Sequence, residues 1–154
     1  MYDNLDSFID KVKAQGFLVK VDTNGSYPNK LEKLLASGCV DYVAMDIKNT
    51  PEKYAHTIGI NNYDISPVIE SVDILRFGPI QYEFRTTVVR ELHTGEDLIS
   101  IARWLSNAKK YYLQTFVDSE GVLQRGMHSY SDEEMQQFLS NIIEILPNTE
   151  LRGI

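Results

Sequence analysis

Runs of β-branched and aromatic residues alternate along this chain with stretches whose apolar residues recur at every third or fourth position, and that alternation limits the fold more than any other feature. The stretch NLDSFIDKVKAQG sets Leu5, Phe8, Ile9 and Val12 on one helical face and closes on Gly16. FLVKVDT reads as a strand. PNKLEKLLASG reads as a helix with Pro28 near its start, Leu31, Leu34 and Leu35 on one side, and Gly38 past its end. DYVAMDIK is a second strand, short and almost continuously apolar, as strands covered on both faces are. NTPEKYAHTIG predicts a loop and a short helix, and SPVIESVDILRFG a helix opened by Ser66 and Pro67. IQYEFRTTVV is the longest strand. TGEDLISIARWLSNA follows as a helix capped by Thr94, and KYYLQTFV as a strand. After the loop DSEGVLQRGMHSY comes the helix SDEEMQQFLSNIIEIL, with Ser131 and Glu134 at capping-box spacing, and then TELRGI as one more short strand.

Strands separated by helices of about 10–15 residues make βαβ units, whose right-handed crossovers build a parallel sheet. The expected fold is therefore α/β, a parallel sheet of four or five strands with βα repeats. No linker, low-complexity tract or charge run divides it, so residues 1–154 read as a single α/β domain. A sheet entered from a helix keeps an open edge, through which the chain could associate with itself.

Composition narrows the partners. With 22 acidic against 15 basic residues and a net charge of −7, the surface is expected to repel nucleic acid and anionic membranes. No segment approaches the roughly 18 apolar residues of a membrane span, and MYDNLDSFIDKVK has neither the basic start nor the apolar run of a signal peptide, so a cytoplasmic location is expected. The single cysteine, Cys39, cannot form an intramolecular disulfide or an all-cysteine metal site and is expected to be a small buried residue. His56, His93 and His128 lack a partner at metal-ligand spacing and read as surface or loop histidines. Phosphate-binding glycine loops and the Gly-x-Ser-x-Gly elbow are absent from the sequence.

The carboxyl ends of parallel strands share a rim, and α/β proteins place their ligands there. The first strand ends in Asp22, Thr23, Asn24 and Gly25. Turn chemistry is the first reading of that corner, because Asp and Asn bond their own backbone and Gly accepts positive φ; a ligand-facing corner is the second. Asp46 and Lys48 end the second strand, Arg85 and Thr86 lie within the third, and Gln114 and Phe116 fall near the end of the fourth. Asp46 paired with Lys48 or a neighbour, capping the next turn, is as good a reading as a ligand contact. Arg85, set among Phe84, Thr87, Val88 and Val89, suits a ligand carboxylate, whose geometry its planar fork matches. Tyr111 and Tyr112 place one ring on each face of their strand.

Taken in order and spacing, VDTNG, VAMDIKN, FRTTVVRELHTGEDL and YYLQTFV resemble the carboxyl-terminal two thirds of radical S-adenosylmethionine enzymes of the glycyl-radical activase type, such as the activating protein of anaerobic ribonucleoside-triphosphate reductase. The resemblance implies part of a partial (β/α)6 barrel, without its first two units. It also implies a [4Fe-4S] cluster and S-adenosylmethionine in the full-length family, with a glycyl-radical enzyme and an electron donor as partners. Asp22, Thr23 and Asn24, with Asp46, would line the cofactor's amino-acid end. Lys48 and Arg85 would be polar contacts to its methionyl part or to the partner's glycine loop. Leu113 and Phe116 would lie against adenine, Phe116 standing where the family often has a histidine.

The family holds its cluster in a Cys-x3-Cys-x2-Cys loop and meets the methionyl amino group with Gly-Gly-Glu, and this sequence has neither. No cluster is expected on this chain, and none of its residues is assigned a catalytic or metal-binding role. The chain is expected to be a fragment or shortened form of such an activase. A noncatalytic, partner-binding scaffold and an unrelated small α/β enzyme using Asp22, Asp46 and Lys48 as acid and base groups are the alternatives.

Overall fold

The computed structural model describes residues 5–119 and 125–153. Asn4 of the first helical stretch, residues 120–124 of the loop before the last helix, and Ile154 lie outside the described residues. The chain is α/β with its strands paired in parallel, and its contacts fall into two compact units.

The first unit takes the residues up to Asp46 together with Ser66–Glu83. In it, α1 (Leu5–Ala14) leads to β1 (Lys20–Thr23), α2 (Pro28–Ala36), β2 (Tyr42–Asp46) and α4 (Ser66–Phe77). The two strands run parallel, with Lys20 beside Tyr42 and Thr23 beside Met45. Pro28 opens α2, where its fixed φ suits the first helical turn and its missing N–H removes no helical bond. Leu31 and Leu34 of α2 and Val68, Val72 and Leu75 of α4 are buried, and the two helices pack together. Each such side chain contributes about 1.5–3 kcal/mol through its burial. Asp41 fixes the entry to β1: it accepts from Lys13 Nζ at 2.8 Å and from the Val19 amide at 2.6 Å. The buried carboxylate of Glu83 is satisfied by Lys20 Nζ at 3.2 Å and the Tyr42 hydroxyl at 3.1 Å, as a charge out of water must be.

The second unit takes Ile47–Ile65 and the residues from Phe84 on. It holds α3 (Tyr54–Ile58), most of β3 (Gln81–Val88), α5 (Gly95–Trp104), β4 (Tyr111–Thr115), α6 (Asp132–Ile142) and β5 (Thr149–Arg152). β3, β4 and β5 are joined in parallel, with Thr86 beside Leu113 and Leu113 beside Leu151. Thr94 and Ser131 each close a capping box, with Asp97 and Glu134 respectively. Leu98, Ile101 and Ala102 of α5 and Met135 and Ile142 of α6 are buried. Tyr111 is buried while Tyr112 is half-buried under the Arg152 guanidinium, so the pair splits between the two strand faces.

Every strand is shorter than the stretch expected for it, the first and fourth most visibly. Phe17 and Leu18, expected in the first strand, precede it and are 64% and 81% exposed. The ladder starts only after the Val19 carbonyl accepts from the amides of Asp41 and Tyr42, so the run extends beyond its partner strand. Phe116 and Val117 overrun β4 for the same reason, since the pairing on its two sides ends at Thr115 and Gln114.

Candidate functional site

In the first unit both strands finish at one polar corner. Thr23 pairs with Met45, so Asp46 follows one residue after the last register pair. The chain then turns sharply. Thr23 Oγ1 accepts from the Gly25 amide at 3.1 Å, and Asn24 Oδ1 accepts from the Ser26 amide at 3.0 Å. Gly25 has φ +74°, and a Cβ on it would stand 2.1 Å from Met45 Cε. Its carbonyl accepts from Ser71 of α4 at 2.8 Å. These bonds are the turn expected from the sequence. A cleft of about 450 Å³ adjoins the corner, with Asp22, Thr23, Tyr27 and Lys30 in its wall. Asp22 and Asp46 give the corner acceptors suited to an ammonium group or a hydroxyl.

Lys48, Arg85, Leu113 and Phe116 belong to the second unit. The Ile47 amide donates to the Arg85 carbonyl at 2.9 Å, and the Thr86 hydroxyl donates to the Ile47 carbonyl at 2.8 Å, so the residues leaving β2 are fastened to β3. Arg85 is half-buried, in register with Tyr112 and flanked by the fully buried Phe84 and Thr86. Leu113 is buried in the core, and the half-buried Phe116 stands one residue beyond β4. Thr115 Oγ1, next to Phe116, is buried without a hydrogen-bond partner among the described residues.

Two sequence expectations are overturned, for His93 and for Cys39. His93 is neither a surface nor a loop-exposed histidine: it is 2% exposed. Its Nδ1 accepts from the Val89 amide at 3.1 Å, and Nε2 lies 2.8 Å from the Lys48 carbonyl. Two backbone partners make burial of an imidazole affordable, and burial in turn pushes its pKa below the ordinary histidine value. His56 and His128 are exposed as expected, His128 bonding Glu91 through Nδ1 at 2.6 Å. Asn49, which the sequence reading passed over, is fully buried and bonds Thr57 Oγ1 at 2.9 Å and the Leu92 carbonyl at 2.8 Å. Its position just past the expected strand DYVAMDIK was the available signal.

Over 107 residues the chain is 32% identical to a Methanocaldococcus jannaschii protein provisionally named a glycyl-radical enzyme activating enzyme. The chain is a relative of that activating-enzyme type. The match takes in 68% of the chain but 45% of the relative, so the chain spans under half that protein's length. A crystal structure of a domain of pyruvate-formate lyase-activating enzyme from Bacteroides vulgatus superposes with a TM-score of 0.76 over 97% of this chain and 89% of that one. At 12% identity, that likeness speaks for the fold alone. No family model matches the chain.

The chemistry of the donor sets tests which cofactors of activating enzymes these residues fit. A [4Fe-4S] cluster does not fit: the sequence has one cysteine, and its Sγ lies 3.7 Å from Asp10 Oδ1 and 3.5 Å from the Ser37 carbonyl. Among the described residues no group of His, Cys, Asp and Glu could hold a metal ion. Cys39 is also half-buried rather than buried, because it follows Gly38, whose positive φ takes the chain out of α2 at the surface. Taken unit by unit, the donor types are ones that parts of S-adenosylmethionine can use: carboxylates and turn oxygens in the first suit an ammonium group, and a guanidinium in the second suits a carboxylate. Among the described residues, no helix is long and apolar enough to cross a membrane.

Proposed function

We propose that this chain contributes the S-adenosylmethionine-binding wall of a radical S-adenosylmethionine activating enzyme that serves a glycyl-radical partner such as anaerobic ribonucleoside-triphosphate reductase. The observation that carries this reading is the 32% identity over 107 residues to the archaeal activating enzyme. In the proposal, residues 1–154 act as one α/β domain in the cytoplasm, and an electron donor completes the system. Bound there and given one electron by the donor, S-adenosylmethionine would supply the hydrogen-atom-abstracting chemistry that activates the partner's glycine.

The work of this chain is binding and orientation. Asp22, Thr23 and Asn24, with Asp46, receive the ammonium end of the ligand. Arg85 pairs with its carboxylate, Lys48 adds a second cation, and Phe116 bounds the adenine, while Leu113 supports β4 from the core. No radical step is assigned to the chain, since its residues do not fit the cluster. Isothermal titration of the purified chain with S-adenosylmethionine is the test: saturable one-to-one binding supports the wall, and a folded chain that gives no heat of binding sinks it.

The open edge of β1 favours a second reading, in which the same fold is a noncatalytic scaffold that associates with itself or a partner. Among the described residues β1 stands at the end of the strand order, and the exposed Phe17 and Leu18 lead into it. Sedimentation velocity at high concentration separates the readings, because a strict monomer rules out edge pairing.

A further inference from the structure

We propose that His93 is a positioning residue: through the Lys48 carbonyl, and together with Asn49, it locks the corner after β2 in the one conformation from which Lys48 can meet a ligand. The inference rests on the reading of Lys48 as a ligand contact, but its structural half stands on geometry alone. Two buried side chains, Thr86 and His93, reach the residues that follow Asp46, and the buried Asn49 and the exposed Lys53 reach out from them. Thr86 donates to the Ile47 carbonyl, His93 holds the Lys48 carbonyl, Asn49 reaches the Leu92 carbonyl and Thr57, and Lys53 pairs with Asp97 at 2.8 Å. Successive carbonyls, Ile47 and Lys48, are thus each taken by a side chain from β3 or the turn after it. Such a concentration of buried side-chain bonds on irregular backbone exceeds what a plain βα connection needs, since short turns close with their own backbone bonds.

The tautomer follows from the partners. The Val89 amide can only donate, so Nδ1 accepts, and the ring hydrogen sits on Nε2 and is donated to the Lys48 carbonyl. Asn49 Oδ1 accepts from the Thr50 amide at 2.7 Å, which leaves its NH2 group for Leu92 and Thr57. A second proton on His93 would put a hydrogen on Nδ1 against the Val89 amide. The nearby Val89 carbonyl, 3.3 Å from Nδ1, already accepts from the amides of Leu92 and His93. The charges whose fields reach the ring are those of Asp97 and Lys53, and the Tyr130 hydroxyl donates to the His93 carbonyl at 2.7 Å. Asp97 is held below the ordinary carboxylate range and Tyr130 above the ordinary phenol range, so neither titrates between pH 5 and 8, a window bracketing about pH 6.5 for an unperturbed histidine. Protonation of the ring, which opens the clamp, is pushed below the ordinary histidine value by burial.

The experiment measures two quantities on the full chain and on His93→Phe and His93→Gln variants between pH 5 and 8: the amide-exchange protection factor of Thr50 and the affinity for S-adenosylmethionine. The glutamine amide can replace the Nε2 donor without titrating, and it serves if the phenylalanine variant does not fold. In the wild type, Thr50 protection and affinity are expected to fall together as the pH drops below the ordinary histidine range, by at least about fivefold once the ring is protonated. His93→Gln should keep both near the neutral-pH values with a flat profile, and His93→Phe should lose at least about tenfold in Thr50 protection while Leu113 in β4 is unchanged. Equal Thr50 protection in His93→Phe and wild type, or an unchanged pH profile in His93→Gln, overturns the proposal. A wild type that fails to bind S-adenosylmethionine removes the functional reading and overturns the Lys48 half, while the Thr50 profile still decides whether His93 is the clamp.

Discussion

Tyr111 donates its buried hydroxyl hydrogen to Thr86 Oγ1 at 2.8 Å, and Thr86 passes its own to the carbonyl oxygen of Ile47 at 2.8 Å. The relay runs from the core of β4 through β3 to the first residue after β2, and all its atoms are buried. Replacing Thr86 with Val preserves shape but strands the Tyr111 hydroxyl and the Ile47 carbonyl, each costing about 1–3 kcal/mol when left unpaired out of water. Tyr111→Phe removes only the outer donor and leaves Thr86 its acceptor. Urea melts should therefore show Thr86→Val losing about 2–4 kcal/mol and Tyr111→Phe about 1 kcal/mol. Equal losses would mean that the relay is not read correctly.

Gly25 combines two demands, a positive φ and space for Met45. An alanine there accepts the strained conformation at a cost of about 1 kcal/mol, and its Cβ must displace Met45 Cε from 2.1 Å. Met45 is flexible, so the second cost is modest. Gly25→Ala should lower stability by about 1–2 kcal/mol, and the double variant with Met45→Ala should show less than the sum of the two single losses, since the clash is gone. Thermal melts of the four proteins close the cycle, and strict additivity would place the strain in φ alone.

Asp97 carries a pH dependence of opposite kind to a buried neutral acid. Burial works to raise its pKa, but the bonds from Lys53 and from Thr94 outweigh burial and hold it below the ordinary carboxylate value. A carboxyl lowered in the fold contributes stability that is complete above its unfolded pKa, about 3.9, and is lost as pH falls through the folded value. Asp97→Asn, which keeps a side-chain acceptor for the Thr94 amide but no charge for Lys53, should therefore cost about 1–2 kcal/mol at pH 7 and much less near pH 3. Urea melts at the two pH values measure this, and a loss independent of pH would count against the ion pair.

Most of the element pattern was legible because local chemistry and packing agree along this chain. Ser131 with Glu134 announced the start of α6, and Gly38 the end of α2. Misjudged boundaries were those set by a partner strand: nothing within FLVKVDT says that pairing begins only at Lys20, since Val19 and the strand beside it decide that. His93 was misread for a similar reason. Its partners, Val89 and Lys48, offer backbone atoms, and a backbone carbonyl 45 positions away leaves no mark in the sequence. The turn at Asn24 and Gly25 was readable because its bonds run between near neighbours.

Arg85 supplies the sharpest test of the binding wall. It is half-buried within β3, in register with Tyr112 and on the opposite strand face from its buried neighbours Phe84 and Thr86. If it pairs with the carboxylate of S-adenosylmethionine, Arg85→Ala should weaken binding by about 10–100-fold, the equivalent of the roughly 1.5–3 kcal/mol of a charge-assisted bond. Arg85→Lys should recover only part of that, because an ammonium keeps the charge and loses the bidentate geometry. S-adenosylmethionine methyl ester, which lacks the carboxylate charge, should bind wild type and Arg85→Ala alike. Titration calorimetry of the three proteins with both ligands reads each arm. An alanine variant that binds both ligands as tightly as wild type would give the guanidinium a role within the fold.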